Sequence, residues 1–166
     1  MADVNQEIIN AIILRLKNIT VANGYAFNVG TVEKPNRDSD HWMPGQNDIY
    51  VEIESEEENE DWFCPGNPPR IAFDMTVLIN GYGSRIDRDA SEVGITDRSV
   101  TENVMASAIQ KAIANNDAGS WHTFGGYAKT ARFAGKQQFD EPGWDGATMR
   151  LVVTYRTSEL DASTVG

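Results

Sequence analysis

The sequence predicts a single α+β domain with two helices packed on one face of an antiparallel or mixed sheet. Two apolar stripes of helical period, near the N-terminus and over residues 104–113, mark the helices. Stretches of period-2 alternation between and after them mark about five strands, giving the order α-β-β-β-α-β-β. With 166 residues, 40% hydrophobic and 23% charged, the chain has the size and composition of one folded core. The domain is assigned to residues 1–157 and a polar C-terminal tail to 158–166.

The first helix rests on Ile8, Ile9, Ile12, Ile13 and Leu16. Asp3 with Gln6 has the form of a capping box, and Asn23-Gly24 supplies the stop. The β-branched run Ile19-Thr20-Val21 suggests a last turn that frays or bends. Strands follow at Tyr25, Phe27 and Val29, then at Ile49, Val51 and Ile53, whose intervening residues are largely acidic. The longest alternation is Ile71, Phe73, Met75, Val77, Ile79. The second helix carries Val104, Met105, Ala108, Ile109, Ala112 and Ile113, with Ser99 and Glu102 as a capping box. Two closing strands are expected at 128–134 and 147–157. Three long segments, Glu33–Asn47, Ser55–Arg70 and Gly81–Arg98, read as irregular, and loops of that length in a compact domain usually serve a function or order against partners.

Fourteen Lys+Arg face 25 Asp+Glu, a formal net charge of -11. Attraction to duplex DNA or an anionic membrane by charge needs the opposite balance. A single cysteine forms no internal disulfide, which points to a reducing compartment. Asp3 and Glu7 precede any basic residue, and Arg15 and Lys17 interrupt the first apolar run, so neither a signal peptide nor a membrane span is expected. A soluble chain made in cytoplasm is the expectation.

Catalytic patterns are sparse. His41, His122 and Cys64 lack the paired spacing of a zinc site, and Cys64 in Phe-Cys-Pro-Gly reads as a structural thiol in a turn. Gly81-Tyr-Gly83 lacks the third glycine and the following helix of a dinucleotide fingerprint. In Gly125-Gly126-Tyr-Ala-Lys129-Thr130 the lysine is not adjacent to the glycine, and the segment leads into a strand. The ten acids from Asp38 to Asp61 follow no calcium-loop spacing, and such a run is usually a solvated loop. No enzyme is expected, and no cofactor or metal is assigned.

Charge is segregated along the chain. Residues 38–61 hold ten acids and no Lys or Arg, whereas residues 111–156 hold Lys111, Lys129, Arg132, Lys136, Arg150 and Arg156 against four acids. A subunit acidic on one side and basic on another suits head-to-tail association, which closes into a ring or propagates as a tube. The alternative is that the loops are acidic because the protein is. Trp42, Trp62, Trp121 and Trp144 all lie in irregular stretches, either as interface anchors or as rings folded back onto their own loops.

The element order, the size and the ending Met149-Arg-Leu-Val-Val-Thr-Tyr-Arg156 resemble the tail terminator (tail completion) proteins of tailed bacteriophages over roughly residues 4–157. The resemblance implies a virion protein, assembled in the bacterial cytoplasm, that forms a homo-oligomeric ring, commonly a hexamer. Such a ring caps the tail tube, docks onto the head connector and lets DNA pass without specific binding. On that basis the assembly or lumen interface is assigned to Glu52, Glu54, Glu56, Glu57, Glu58, Glu60 and Asp61, with Arg85, Arg88 and Arg98 meeting a neighbour's acids and Trp42 and Trp62 as anchors. Two alternatives stay open: another tail-tube or head-tail joining subunit, and an acidic DNA-mimic inhibitor.

Overall fold

A computed structural model describes residues 3–36, 38, 43–67, 69–85, 100–114, 120–138, 143–158 and 161–165. The order is α1 (Val4–Leu16), β1 (Val32–Glu33), β2 (Asp48–Glu58), β3 (Arg70–Arg85), α2 (Glu102–Ala114), β4 (Ala128–Gln138), β5 (Trp144–Ser158) and β6 (Asp161–Val165). The sheet runs β1-β2-β3-β5-β4, with β6 paired to β5. Among the described residues only the β1–β2 pairing is parallel. The fold is therefore α+β with a mixed sheet, as the periodicities predict.

Antiparallel partners share a face, so the register sorts the sheet into two. Met75, Val77 and Ile79 of β3 pair with Val153, Leu151 and Met149 of β5, while Ile79 also faces Val51 of β2. These side chains are buried in one cluster with Ile8, Ile9, Ile12 and Leu16 of α1 and Met105, Ile109 and Ile113 of α2. Burial of each is worth about 1.5–3 kcal/mol, which is why two amphipathic helices suffice to cover one face.

The helix ends differ from the expectation. Asp3 occupies the N-cap position of α1 without a side-chain cap bond, and only its backbone carbonyl accepts from Glu7 N–H. Gln6 is drawn away to Asn10 and Lys34, so the capping box does not form. The helix stops at Leu16, before the β-branched run, and a separate 3-10 turn over Val21–Asn23 ends at Gly24 with φ 81°. At α2, Thr101 Oγ1 accepts from Val104 N–H at 3.4 Å, and Asp145 Oδ1 of β5 accepts from Glu102 N–H at 2.9 Å. The predicted cap Ser99 lies outside the described residues.

Three further differences concern strands. Tyr25, Phe27 and Val29 form no strand; Phe27 is buried in the core and the strand comes later, at Val32–Glu33. Residues 55–58, expected in a loop, continue β2 as far as Glu58, past a bulge between Ile53 and Ser55. Residues 161–165 of the expected tail form β6 against the end of β5. The glycines of Gly81-Tyr-Gly83 lie in β3, where a side chain on Gly81 would collide with Met105 of α2. They are close-packing glycines.

Candidate functional site

The sheet face opposite the helices is open along its middle and carries part of the acidic segment. Glu52 pairs in register with Leu78 and Glu57 with Asp74 on this face, whereas Glu56 and Glu58 turn to the helix side opposite Met75 and Phe73. Glu60, Asp61 and Trp62 form a short 3-10 turn directly after β2. The predicted acidic segment, Glu52 to Asp61, is thus one continuous strand and turn. Glutamate is a poor strand former, and what holds it here is the ladder to β3.

Bases stand on the same face, two strands away. Arg150 reaches over β3 and grips Glu54 with two bonds, Nε to Oε2 and Nη2 to Oε1, each 3.0 Å. These bonds hold the Glu54 carboxyl below its ordinary value and raise the Arg150 guanidinium. Arg156 donates from Nε to the Trp62 carbonyl at 2.9 Å and lies 5.2 Å over the Trp62 ring. Uncharged donors serve the other carboxylates of this face: Thr154 Oγ1 donates to Asp74 Oδ1 at 2.5 Å between the two arginines, and beyond Arg150 Asn80 Nδ2 donates to Glu52 Oε1 at 3.4 Å and Thr148 Oγ1 to Asn80 Oδ1 at 2.8 Å.

One end of this face is closed. Tyr50 and Tyr82 meet edge to face at 5.6 Å, as do Tyr82 and Trp144. Beneath them the buried Asp48 carboxylate accepts from Thr31 N–H (2.7 Å), Gly45 N–H (2.7 Å) and the Tyr50 hydroxyl (3.1 Å). Burial and the Asp48 charge push the Tyr50 phenol well above its ordinary value. On the helix side Tyr155 is buried near Glu56, and burial followed by its hydrogen bond to Glu56 raises that phenol as well.

The predicted site residues separate into three groups. Glu52, Glu54, Glu56, Glu57, Glu58, Glu60, Asp61 and Trp62 follow one another along β2 and its turn, with Glu56 and Glu58 on the helix side of the sheet and Trp62 against Arg156. Arg85 ends β3 opposite Trp144, at the far end of the sheet from Glu57 and Glu58. Arg88, Arg98 and Trp42 lie outside the described residues. Trp121 stacks on Phe133 at 5.8 Å and Trp144 begins β5, so these two rings fold back onto the sheet. Sequence reasoning missed the buried Arg15 and the Asp48 nest. Arg15 occupies the inward stripe of α1, three residues after Ile12 and seven after Ile8, and that spacing was its signal.

Among the described residues no group of three or more His, Cys, Asp or Glu is placed to hold a metal ion, and no helix is long and apolar enough to cross a membrane. Cys64 is a free, half-buried thiol bridged through its backbone to Arg70, and His122 packs beside Trp121. No known family model matches the chain, and no curated protein does.

Proposed function

We propose that this chain is a structural subunit of a bacteriophage tail: a tail terminator whose copies form a ring, hexameric by resemblance, that caps the tail tube and docks it to the head connector. The observation that carries this reading is the acidic strand and turn from Glu52 to Asp61. Glu52, Glu54 and Glu57 stand on one face of a hydrogen-bonded strand, with Glu60 and Asp61 in the turn that follows it, so this end of the sheet carries a lasting negative surface. Lining a channel or a docking face, such a surface repels the DNA backbone and lets it slide without adhesion. The partners in this reading are further copies of the chain, the tail-tube protein and the connector. The chain acts as a scaffold, not an enzyme.

Electron microscopy of the purified protein, with mass measured in solution and in isolated tails, tests the proposal. The expected result is a ring with a central hole and label at the head-proximal end of the tail. Label along the tube would favour a tube subunit instead. A strict monomer absent from virions would overturn the reading. The DNA-mimic alternative is weaker, because Arg150 and Arg156 interrupt the carboxylates on the same face. It predicts recovery of a basic DNA-binding protein in a salt-sensitive pull-down.

A further inference from the structure

The two edges of the sheet carry opposite charge. β1 covers β2 only through Val32↔Ile49 and Glu33↔Tyr50, so among the described residues the outer edge of β2 from Val51 to Glu58 pairs with no strand. Along β2 there are six acids and no base, and Glu57 and Glu58 are exposed with no side-chain hydrogen bond or ion pair among the described residues. At the opposite edge β4 pairs, among the described residues, only with β5. It carries Lys129, Arg132 and Lys136 and no acid. Lys136 is held by Glu102 at 3.2 Å, whereas Arg132 is exposed and Lys129 half-buried, neither with a side-chain partner among the described residues.

Open strand edges are templates for pairing, and charged residues are a common way to block it. Blocking alone is served by like charges on both edges. Here each edge repels a copy of itself and attracts the other, which disfavours a two-fold dimer through either edge and leaves head-to-tail addition. Direction agrees. From β2 through β3 and β5 to β4 the chain reverses three times, so β4 runs opposite to β2. A copy added in the same orientation therefore sets its β2 antiparallel to the first copy's β4. Within one subunit the edges lie three strand spacings apart, about 14 Å, so the complementarity can be satisfied only between copies.

We infer that the acidic β2 edge of one copy joins the basic β4 edge of the next, extending one antiparallel sheet from subunit to subunit with Glu57 and Glu58 set against Lys129 and Arg132. The inference deepens the proposed ring reading and rests on it for closure, but its interface is tested separately. Sedimentation of the full chain at low and high salt, at several concentrations, is compared for the wild type and three variants. E57K/E58K reverses one edge, K129E/R132E reverses the other, and the third variant combines all four changes.

The wild type is expected to associate, more weakly as salt rises. Each single-edge variant should associate roughly tenfold or more less tightly, since two cross-strand attractions become repulsions. An equimolar mixture of the two should recover association, and so should the combined variant. Circular dichroism verifies folding, and recovery in the mixture separates lost pairing from lost structure. Rings that form equally well in both single-edge variants would overturn the interface and leave the ring reading standing. A wild type monomeric under every condition would overturn the interface, while the tail reading is then judged by the presence of the chain in virions.

Discussion

Arg15 of α1 donates from Nη1 to the carbonyl of Ile113, in the last turn of α2, at 2.9 Å. The same nitrogen donates to the Trp121 carbonyl at 2.7 Å, and the guanidinium lies 4.4 Å over the Phe124 ring. A cation is thus buried where α2 leaves its final carbonyls without helical partners, at the negative end of the helix dipole. Replacing Arg15 by Met keeps the apolar contacts and strands two carbonyls. The expected cost is about 2–4 kcal/mol, read as a lower urea midpoint with unchanged slope. Arg15→Lys should recover part of it, because an ammonium can donate but does not spread over the ring.

Asp48 accepts from three donors, the Gly45 amide and Tyr50 hydroxyl that flank it and the Thr31 amide of a separate piece of chain. Asp48→Ala leaves those donors unmatched at a site the core side chains partly seal, and should cost about 2–4 kcal/mol. Asp48→Asn keeps one acceptor oxygen and should fall between. Hydrogen exchange locates the effect, with the loss of protection concentrated at Thr31 and Gly45.

Both helices and the long strands were legible because their apolar periods extend over many residues: Ile8 to Leu16, Val104 to Ile113, Ile71 to Ile79. Tyr25, Phe27 and Val29 misled because three alternating residues fit a buried loop as well as a strand. The acidic stretch was legible in charge and misread in shape, since nothing local shows that β3 will hold Glu56–Glu58 in a ladder. Glu54 and Arg150 stand 96 positions apart, and their meeting depends on a bulge after Ile53 and on both strands flanking β3. Such pairings belong to topology and are not written in any local window.

The raised phenols of Tyr50 and Tyr155 should make the fold lose stability at alkaline pH. Below their ordinary value of 10.0 the phenols are neutral in both folded and unfolded chains. Above it the unfolded chain releases protons that the native chain retains, so stability falls as pH rises beyond 10. Circular dichroism and tyrosinate absorbance should therefore change together in that range. Tyr155→Phe is expected to shift the transition to higher pH, even if it lowers stability slightly at neutral pH.

Glu54 works in the opposite direction. Its hydrogen bonds from Arg150 lower its value, so the contribution of the pair is present above the ordinary 4.5 and fades as pH falls through the native value. Glu54 is exposed and Arg150 only half-buried, so added salt should shrink the contribution. A Glu54→Gln, Arg150→Gln double-mutant cycle is expected to show favourable coupling at neutral pH and low salt. The coupling should vanish in acid and in high salt.

Gly81 and Gly146 both sit where backbone and helix crowd together, but substitution should not affect them equally. A Cβ on Gly81 would meet the Met105 side chain, with Sδ at 2.6 Å, and Ile109 Cδ1 at 3.2 Å. A methionine has three side-chain torsions with which to retreat, so Gly81→Ala should cost about 1–2 kcal/mol as α2 is pushed slightly outward. A Cβ on Gly146 would overlap the carbonyl oxygen of Gly81 and approach Gly83 N to 3.2 Å. Those atoms belong to β3, paired with β5 through Gly81↔Ala147 and Tyr82↔Gly146, and cannot move without breaking the ladder. Gly146→Ala should therefore cost about 3 kcal/mol or more. Because Asp145 caps α2 from the adjacent position, the damage should extend to that helix, seen as lost amide protection at Glu102. An equal effect of the two substitutions would mean that α2, and not the strand pairing, sets the tolerance at this end of the sheet.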